Sequence, residues 1–88
     1  MWVNPDEHKA VGRILAEFRQ KGGLRQQDLA SRLGKPQSFV SSYEAGQRRI
    51  DVLELLRIAT ELEVDPVEIF AMIAYNHAHG GGAPPRRD

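Results

Sequence analysis

Apolar residues recur with helical spacing in five segments of this 88-residue chain. In the first segment, Val11, Ile14, Leu15 and Phe18 follow the i, i+3, i+4, i+7 order of a helix with one buried face. The other four segments carry Leu29, Ala30 and Leu33; Val40 and Tyr43; Leu55, Ile58, Ala59 and Leu62; and Ile69, Phe70 and Ile73. The alternation of apolar and polar residues that is typical of strands does not occur. The pattern predicts an all-α domain of five helices.

Capping residues, prolines and glycines mark the ends of these helices. N-caps are predicted at three positions, each followed three residues later by the acid of a capping box: Asn4 with Glu7, Asp51 with Glu54, and Asp65 with Glu68. Helix 2 begins near Gln26 after the unfavourable N-cap Arg25, so its start depends mainly on Asp28 near the positive end of the helix dipole. Helix 3 has Pro36 at its first helical position. The first three helices end at glycines: Gly22, Gly34 and Gly46.

Length and composition are those of one small domain. Residues 1–79 are predicted to form it, and residues 80–88, GGGAPPRRD, are predicted to be a disordered tail because they offer no large apolar side chain. The chain has no cysteine, which excludes a disulfide framework. It begins without the features of a signal peptide, and no apolar run approaches the roughly 18 residues of a membrane span. We therefore expect a cytoplasmic protein without a membrane partner.

The net charge of zero hides two halves of opposite charge. Residues 13–49 contain eight basic and three acidic residues, a net charge of +5. Residues 50–77 contain one basic and six acidic residues, a net charge of −5. The basic half is suited to a polyanion such as nucleic acid, and the acidic half is expected to face away from it.

Helices 2 and 3 have the outline of a helix-turn-helix, because they are short and joined by a turn that contains a glycine. Ala30 is small enough for a close approach of the two helices, and Gly34 permits a positive φ in the turn. The segment QDLASRLGKPQSFVSSYEAGQRR resembles the Cro/cI-type (XRE-like) transcriptional regulators, especially small proteobacterial members with a PQSFVS-x-YE-x-G-x-RR core. The resemblance extends from about Val11 to Phe70. It implies a lambda-repressor-like DNA-binding domain whose third helix enters the major groove.

The resemblance also implies roles for individual residues. Gln37 corresponds to a base-contacting glutamine of the family, and a glutamine amide can pair in a bidentate manner with adenine. Gln26 corresponds to a residue that meets the DNA backbone and supports helix 3. Serine hydroxyls on the same side can contact base edges or phosphates, and flanking basic residues suit the backbone. The predicted DNA contacts are Gln26, Lys35, Gln37, Ser38, Ser41, Ser42, Arg48 and Arg49.

Four further positions carry expectations. The resemblance implies that Glu44 pairs with a basic residue of helix 1, for which Arg13 and Arg19 are the candidates. Glu63 occupies a position after helix 4 where the family commonly has glycine, so this helix end is expected to be strained or reshaped. Close relatives often have lysine at the position of Ser42, which leaves the strength of that contact open. Phe39 could pack over the turn or touch a thymine methyl group, and packing is favoured.

Helices 4 and 5 carry more apolar residues than one small core needs. The surplus residues predict a homodimer interface through helix 5, which would match a palindromic operator with half-sites about one helical turn apart. They are Leu53, Leu56, Met72, Ile73 and Tyr75, with Trp2 as a further candidate. The alternative is that these residues complete the core of a monomer.

Neither catalysis nor a bound group is predicted. No catalytic triad, carboxylate pair or phosphate-binding glycine loop is recognisable, so the protein is not expected to be an enzyme or to need a cofactor. His77 and His79 lack further metal ligands, so no metal site is predicted, and we do not expect a small-molecule ligand. The sequence predicts a regulator, most simply a repressor, that binds double-stranded DNA. An antitoxin, a restriction-modification control protein and a helix-turn-helix module that binds protein remain alternatives.

Overall fold

The structure, a computed structural model, describes residues 5–79 and contains five α-helices in that range. They are α1 (Pro5–Lys21), α2 (Gln26–Leu33), α3 (Gln37–Glu44), α4 (Val52–Leu62) and α5 (Pro66–His79). The predicted five-helix, all-α fold is confirmed. The expectations for Asn4, Trp2 and residues 80–88 concern parts of the chain outside the described residues.

The core is built from the apolar faces of all five helices. The largest fully buried side chains are Leu15, Leu29, Val40, Tyr43, Ile58 and Ile69. In this arrangement α1 packs on α3 and α5, while α4 packs on α2 and α5. The prediction that Phe70 points inward is wrong, because its side chain is 61% exposed. Successive residues of a helix are about 100° apart, and the preceding Ile69 already occupies the core-facing position of this turn.

Most predicted helix ends agree with the hydrogen bonds. The Glu54 amide donates to Asp51 Oδ1 at 2.7 Å and the Asp51 amide donates to Glu54 Oε1 at 3.0 Å, which confirms this capping box. The Arg25 amide donates to Asp28 Oδ2 at 2.9 Å, so Asp28 does support the start of α2. The prediction that Pro36 is the first helical residue is wrong. Its ψ of 156° is extended, which makes Pro36 the N-cap and Gln37 the first residue of α3.

Two positions show the backbone constraints of the fold. Glu63 ends α4 in the left-handed region with φ 59°, where it is the only non-glycine residue with positive φ among residues 5–79. The expected strain at this helix end is confirmed. Gly12 of α1 was not singled out by the sequence, although a Cβ there would lie 2.3 Å from the Tyr43 carbonyl oxygen and 2.5 Å from that of Glu44. The missing side chain therefore allows α1 to touch the C-terminal end of α3.

Candidate nucleic-acid interface

The α2 and α3 helices form a compact unit around a glycine turn. Gly34 has φ 69°, and the amides of Gly34 and Lys35 donate to the carbonyl oxygens of Ser31 (3.1 Å) and Ala30 (2.9 Å). These two bonds close the C-terminal end of α2 and reverse the chain. Ala30 is 2% exposed where α2 meets α3, which agrees with the close helix approach predicted from its small side chain. The buried faces of both helices point to the shared core, which leaves the opposite face of α3 open.

The predicted contact residues gather around this open face. Gln37 and Ser38, at the start of α3, are exposed, and Ser41 and Ser42, one turn later, are half-buried. Lys35 precedes α3 and is exposed, as are Arg48 and Arg49 in the loop that follows it. A row of amide and hydroxyl groups therefore has cations at both ends, which is the arrangement that base edges flanked by phosphates require.

A buried ion pair anchors the C-terminal end of α3 to α1. Arg19 is only 8% exposed, and its Nε and Nη2 atoms donate to the two carboxylate oxygens of Glu44 at 2.7 and 3.0 Å. Its Nη1 donates to the Leu24 carbonyl oxygen at 2.7 Å. The hydrogen bond to Glu44 raises the pKa of Arg19, although burial opposes this. Of the two candidates on α1, Arg19 is thus the partner of Glu44, whereas Arg13 is exposed.

The same carboxylate orients the two glutamines at the surface. Gln26 Nε2 donates to Glu44 Oε1 at 2.9 Å, and Gln37 Nε2 donates to Gln26 Oε1 at 3.4 Å. Because an ionised carboxylate only accepts hydrogen bonds, Gln26 must turn its NH2 group toward Glu44 and its oxygen toward Gln37. Gln37 then keeps one N–H and its oxygen for a ligand. One donor beside one acceptor matches the N7 and N6 groups of adenine.

The sequence did not reveal the contact between Gln26 and Glu44. They lie on different helices, 18 residues apart, so no periodicity within one element relates them and only the packing of α2 against α3 brings them together. The family resemblance implied only that Gln26 meets the DNA backbone and supports α3, and that Gln37 contacts a base. The structure adds the acceptor that fixes the direction of both amides.

Arg48 is held by several groups at once. Its Nη1 and Nη2 donate to the Glu54 carboxylate at 3.1 and 2.9 Å, and Nη1 also donates to the Arg49 carbonyl oxygen at 2.8 Å. The guanidinium carbon lies 4.6 Å from the centre of the Phe39 ring. Hydrogen bonding between the two side chains raises the pKa of Arg48 and lowers that of Glu54. Phe39 also meets Tyr43 edge-to-face at 5.5 Å and is partly buried against the core, so its ring packs, as favoured from the sequence.

An apolar surface lies on α4 and α5. Leu53 and Leu56 of the predicted interface are exposed, at 73% and 43% of their area. The other three predicted residues, Met72, Ile73 and Tyr75, are half-buried. Exposed residues that the sequence did not assign to this surface are Val52, Val67 and Phe70. Their exposure adds apolar area near the N-terminal ends of both helices.

The two C-terminal histidines have partners other than a metal. His77 Nδ1 lies 2.9 Å from Glu7 Oε1, and His79 stacks on Tyr75 with ring centres 3.9 Å apart. Within residues 5–79, no three His, Cys, Asp or Glu side chains are grouped in a way that could hold a metal ion. Over the same range, none of the helices combines the length and apolar character needed to cross a membrane. A cytoplasmic location stays a prediction.

The glycine turn, the core shared by α2 and α3 and the open polar face of α3 define a helix-turn-helix protein. A model of the helix-turn-helix family matches residues 15–69. An uncharacterised HTH-type transcriptional regulator, y4dJ of Sinorhizobium fredii (strain NBRC 101917 / NGR234), is 38% identical over 64 residues, which cover 73% of this chain and 83% of the relative. The chain belongs to the XRE-type helix-turn-helix family, as its resemblance implied.

Solved structures of restriction-modification controller proteins share the fold. C.AhdI from Aeromonas hydrophila is 37% identical and superposes with a TM-score of 0.67, over 76% of this chain and 100% of C.AhdI. The C.Esp1396I tetramer in complex with its natural 35-base-pair operator is 26% identical, with a TM-score of 0.70 over 78% of this chain and 91% of that protein. Both similarities extend over most of the five-helix domain.

Proposed function

We propose that this protein is a sequence-specific DNA-binding transcriptional regulator, and that it represses most simply by occupying an operator. The observation that carries the proposal is the open face of α3, where Gln37 is oriented by Gln26 and lies beside Ser38. Neutral hydrogen-bonding groups suit base edges, because lysine in this row would bind phosphate and glutamate would repel it. No catalytic role is proposed.

In this proposal, different residues supply sequence preference and affinity. Gln37 pairs with adenine through the N–H and oxygen that its bond to Gln26 leaves available. The hydroxyl of Ser41 donates to the Ser38 carbonyl oxygen at 3.3 Å, so it offers the DNA mainly its acceptor lone pairs. Lys35 and Arg49 contribute affinity through phosphates, which makes binding strongly dependent on salt.

The proposed regulator acts as a homodimer. The exposed apolar residues of α4 and α5, with Leu53 and Val52 each 73% exposed, would be covered by a second copy. The C.Esp1396I protein is a tetramer on its operator, which supports assembly of this chain on DNA as well. Two copies related by a two-fold axis would bind a palindrome with half-sites about one helical turn apart. A sedimentation measurement that finds only a 9.9 kDa species at tens of micromolar would contradict this.

The function is tested by selecting bound sites from a randomised duplex library at near-physiological salt. Wild-type protein should enrich a palindrome, and Gln37→Ala should lose the preference at one symmetric pair of positions. Asn76→Ala is the matched control, because it removes an amide on α5, outside the α2 and α3 unit. If wild-type protein enriches no sequence, the proposal fails. Binding to a protein partner would then be distinguished by a weak dependence on salt.

A controller of a restriction-modification system is a specific version of this function. It is favoured by the 37% identity to C.AhdI, because the match covers the whole length of that protein. The enriched palindrome would then occur upstream of neighbouring genes for a restriction endonuclease and its methyltransferase. An operator next to unrelated genes, with no such pair nearby, would favour a plain repressor.

A further inference from the structure

We propose that Arg48 is a positioning residue that fixes the loop between α3 and α4, and that it is not one of the phosphate contacts. The inference rests on the proposed DNA-binding function and corrects the expectation for one residue within it. It gives Arg48 and Arg49 different roles, although the sequence predicted both as DNA contacts.

The guanidinium of Arg48 joins three parts of the fold. It stacks on Phe39 of α3 at 4.6 Å, donates to the Arg49 carbonyl oxygen within the loop, and donates twice to Glu54 in the first turn of α4. Three of its five N–H donors are thus used inside the protein, and one face of its plane is covered. A guanidinium that binds a carboxylate through two hydrogen bonds and also lies over an aromatic ring is held in one orientation.

Glu54 is itself held in place. Its Oε1 atom also accepts the Asp51 amide at 3.0 Å in the capping box of α4. A phosphate that recruited Arg48 would have to compete with this oriented carboxylate, and the nearby negative charge would repel it. The charge that Arg48 could offer to DNA is therefore already neutralised by a group that cannot turn away.

Arg49 differs from Arg48 in each of these respects. Its side chain is exposed and makes no hydrogen bond or ion pair with any of residues 5–79. Because Arg48 holds the Arg49 carbonyl oxygen, the direction in which Arg49 leaves the loop depends on Arg48. One arginine thus orients the backbone, and the next is available to the phosphate.

The test measures operator and non-specific DNA affinity against salt concentration for Arg48→Gln and Arg49→Gln, and Glu54→Gln is used in unfolding measurements. Glutamine at position 54 still accepts the Asp51 amide, so the capping box is preserved. We expect Arg49→Gln to lower the slope of log affinity against log salt by about 0.9 for each protomer. Arg48→Gln should leave that slope unchanged and weaken operator binding by about fivefold, with non-specific binding within about twofold.

The two roles of Arg48 predict different effects of Arg48→Gln. If Arg48 is a phosphate contact, its loss lowers the salt slope by about 0.9 for each protomer, as the loss of Arg49 does, and weakens operator and non-specific binding alike. That result would overturn the proposal. Arg48→Lys adds a further criterion, because lysine keeps the charge but neither stacks nor binds in a bidentate manner. It should restore a phosphate contact and fail to restore a positioning role.

A double-mutant cycle keeps the inference testable if the protein does not bind DNA. Arg48→Gln and Glu54→Gln are each expected to raise the equilibrium unfolding constant about fivefold, and the double variant should raise it no further. Additive effects would show that the two side chains do not act as a unit and would overturn the positioning role. Absence of salt-dependent DNA binding by wild-type protein would instead refute the proposed function.

Discussion

Replacing Gly12 with alanine tests the closest helix contact in the fold. Alanine is the better residue inside a helix, by about 0.5–1 kcal/mol, so helix propensity alone predicts that Gly12→Ala stabilises the protein. The structure predicts the opposite. A Cβ at this position lies 2.3 Å from the Tyr43 carbonyl oxygen, 2.5 Å from the Glu44 carbonyl oxygen and 2.8 Å from the Glu44 carbonyl carbon.

The magnitude follows from these distances. Carbon and carbonyl oxygen atoms normally approach to about 3.3 Å, so α1 and α3 would have to separate by about 1 Å. All three obstructing atoms belong to the backbone, so no side chain can rotate away from the new methyl group. Overpacking of this kind costs about 1–3 kcal/mol, and the rigid neighbours place Gly12 at the upper end. After the gain in propensity, we expect a net loss of about 2 kcal/mol.

Urea denaturation followed by circular dichroism measures the effect, and a loss of this size should lower Tm by about 10 °C in a domain this small. Gly22→Ala is the matched control, because its nearest neighbours are the Arg19 and Phe18 carbonyl oxygens at 3.4 and 3.7 Å. It should change stability by less than about 0.5 kcal/mol. A Gly12→Ala protein as stable as wild type would refute the argument that α1 needs glycine to reach α3.

Three further predictions concern stability in the same assay. Glu63→Gly should stabilise the protein by about 1 kcal/mol because it relieves the left-handed strain, whereas Glu61→Gly within α4 should cost a similar amount. Tyr43→Phe should be neutral or stabilising by up to about 1 kcal/mol, since the buried hydroxyl has no hydrogen-bond partner within residues 5–79. Burial also raises the pKa of Tyr43, so wild type should lose stability above about pH 10 as the unfolded phenol ionises, and the variant should lose less. Arg19→Met should cost about 3 kcal/mol because it leaves the Glu44 carboxylate without its cation; a loss below 1 kcal/mol would contradict the structural role of the pair.

Local sequence signals predicted the elements well. The capping pair Asp51 and Glu54, the turn glycine Gly34 and the helical spacing of Leu55, Ile58 and Leu62 each depend on neighbours within about one or two turns. Interactions over such short separations can be recognised from the order of residues alone. The helix-turn-helix could therefore be placed before any tertiary contact was known.

Features that depend on tertiary packing were missed or left open. Gly12 was not singled out by the sequence, and only the position of the Tyr43 carbonyl oxygen explains a glycine inside α1. The inward orientation of Phe70 was wrong because the helical stripe of α5 allows either Ile69 or its neighbour to face the core. The choice of Arg19 over Arg13 as the partner of Glu44 required the relative rotation of α1 and α3. For Gly12 and Arg19 the deciding contact joins residues that are distant in sequence.

In the proposed function, core packing and base recognition are coupled through one carboxylate. Glu44 neutralises the buried Arg19 and also accepts the Gln26 amide that orients Gln37. Removing Glu44 would therefore disturb stability and amide orientation together. A change in DNA binding by such a variant could not be attributed to one of the two effects. Gln26 is the residue that separates them, because it contacts Glu44 without being needed for the ion pair. A change in base preference caused by altering Gln26 alone would come from amide orientation, since the α1 to α3 anchor remains in place.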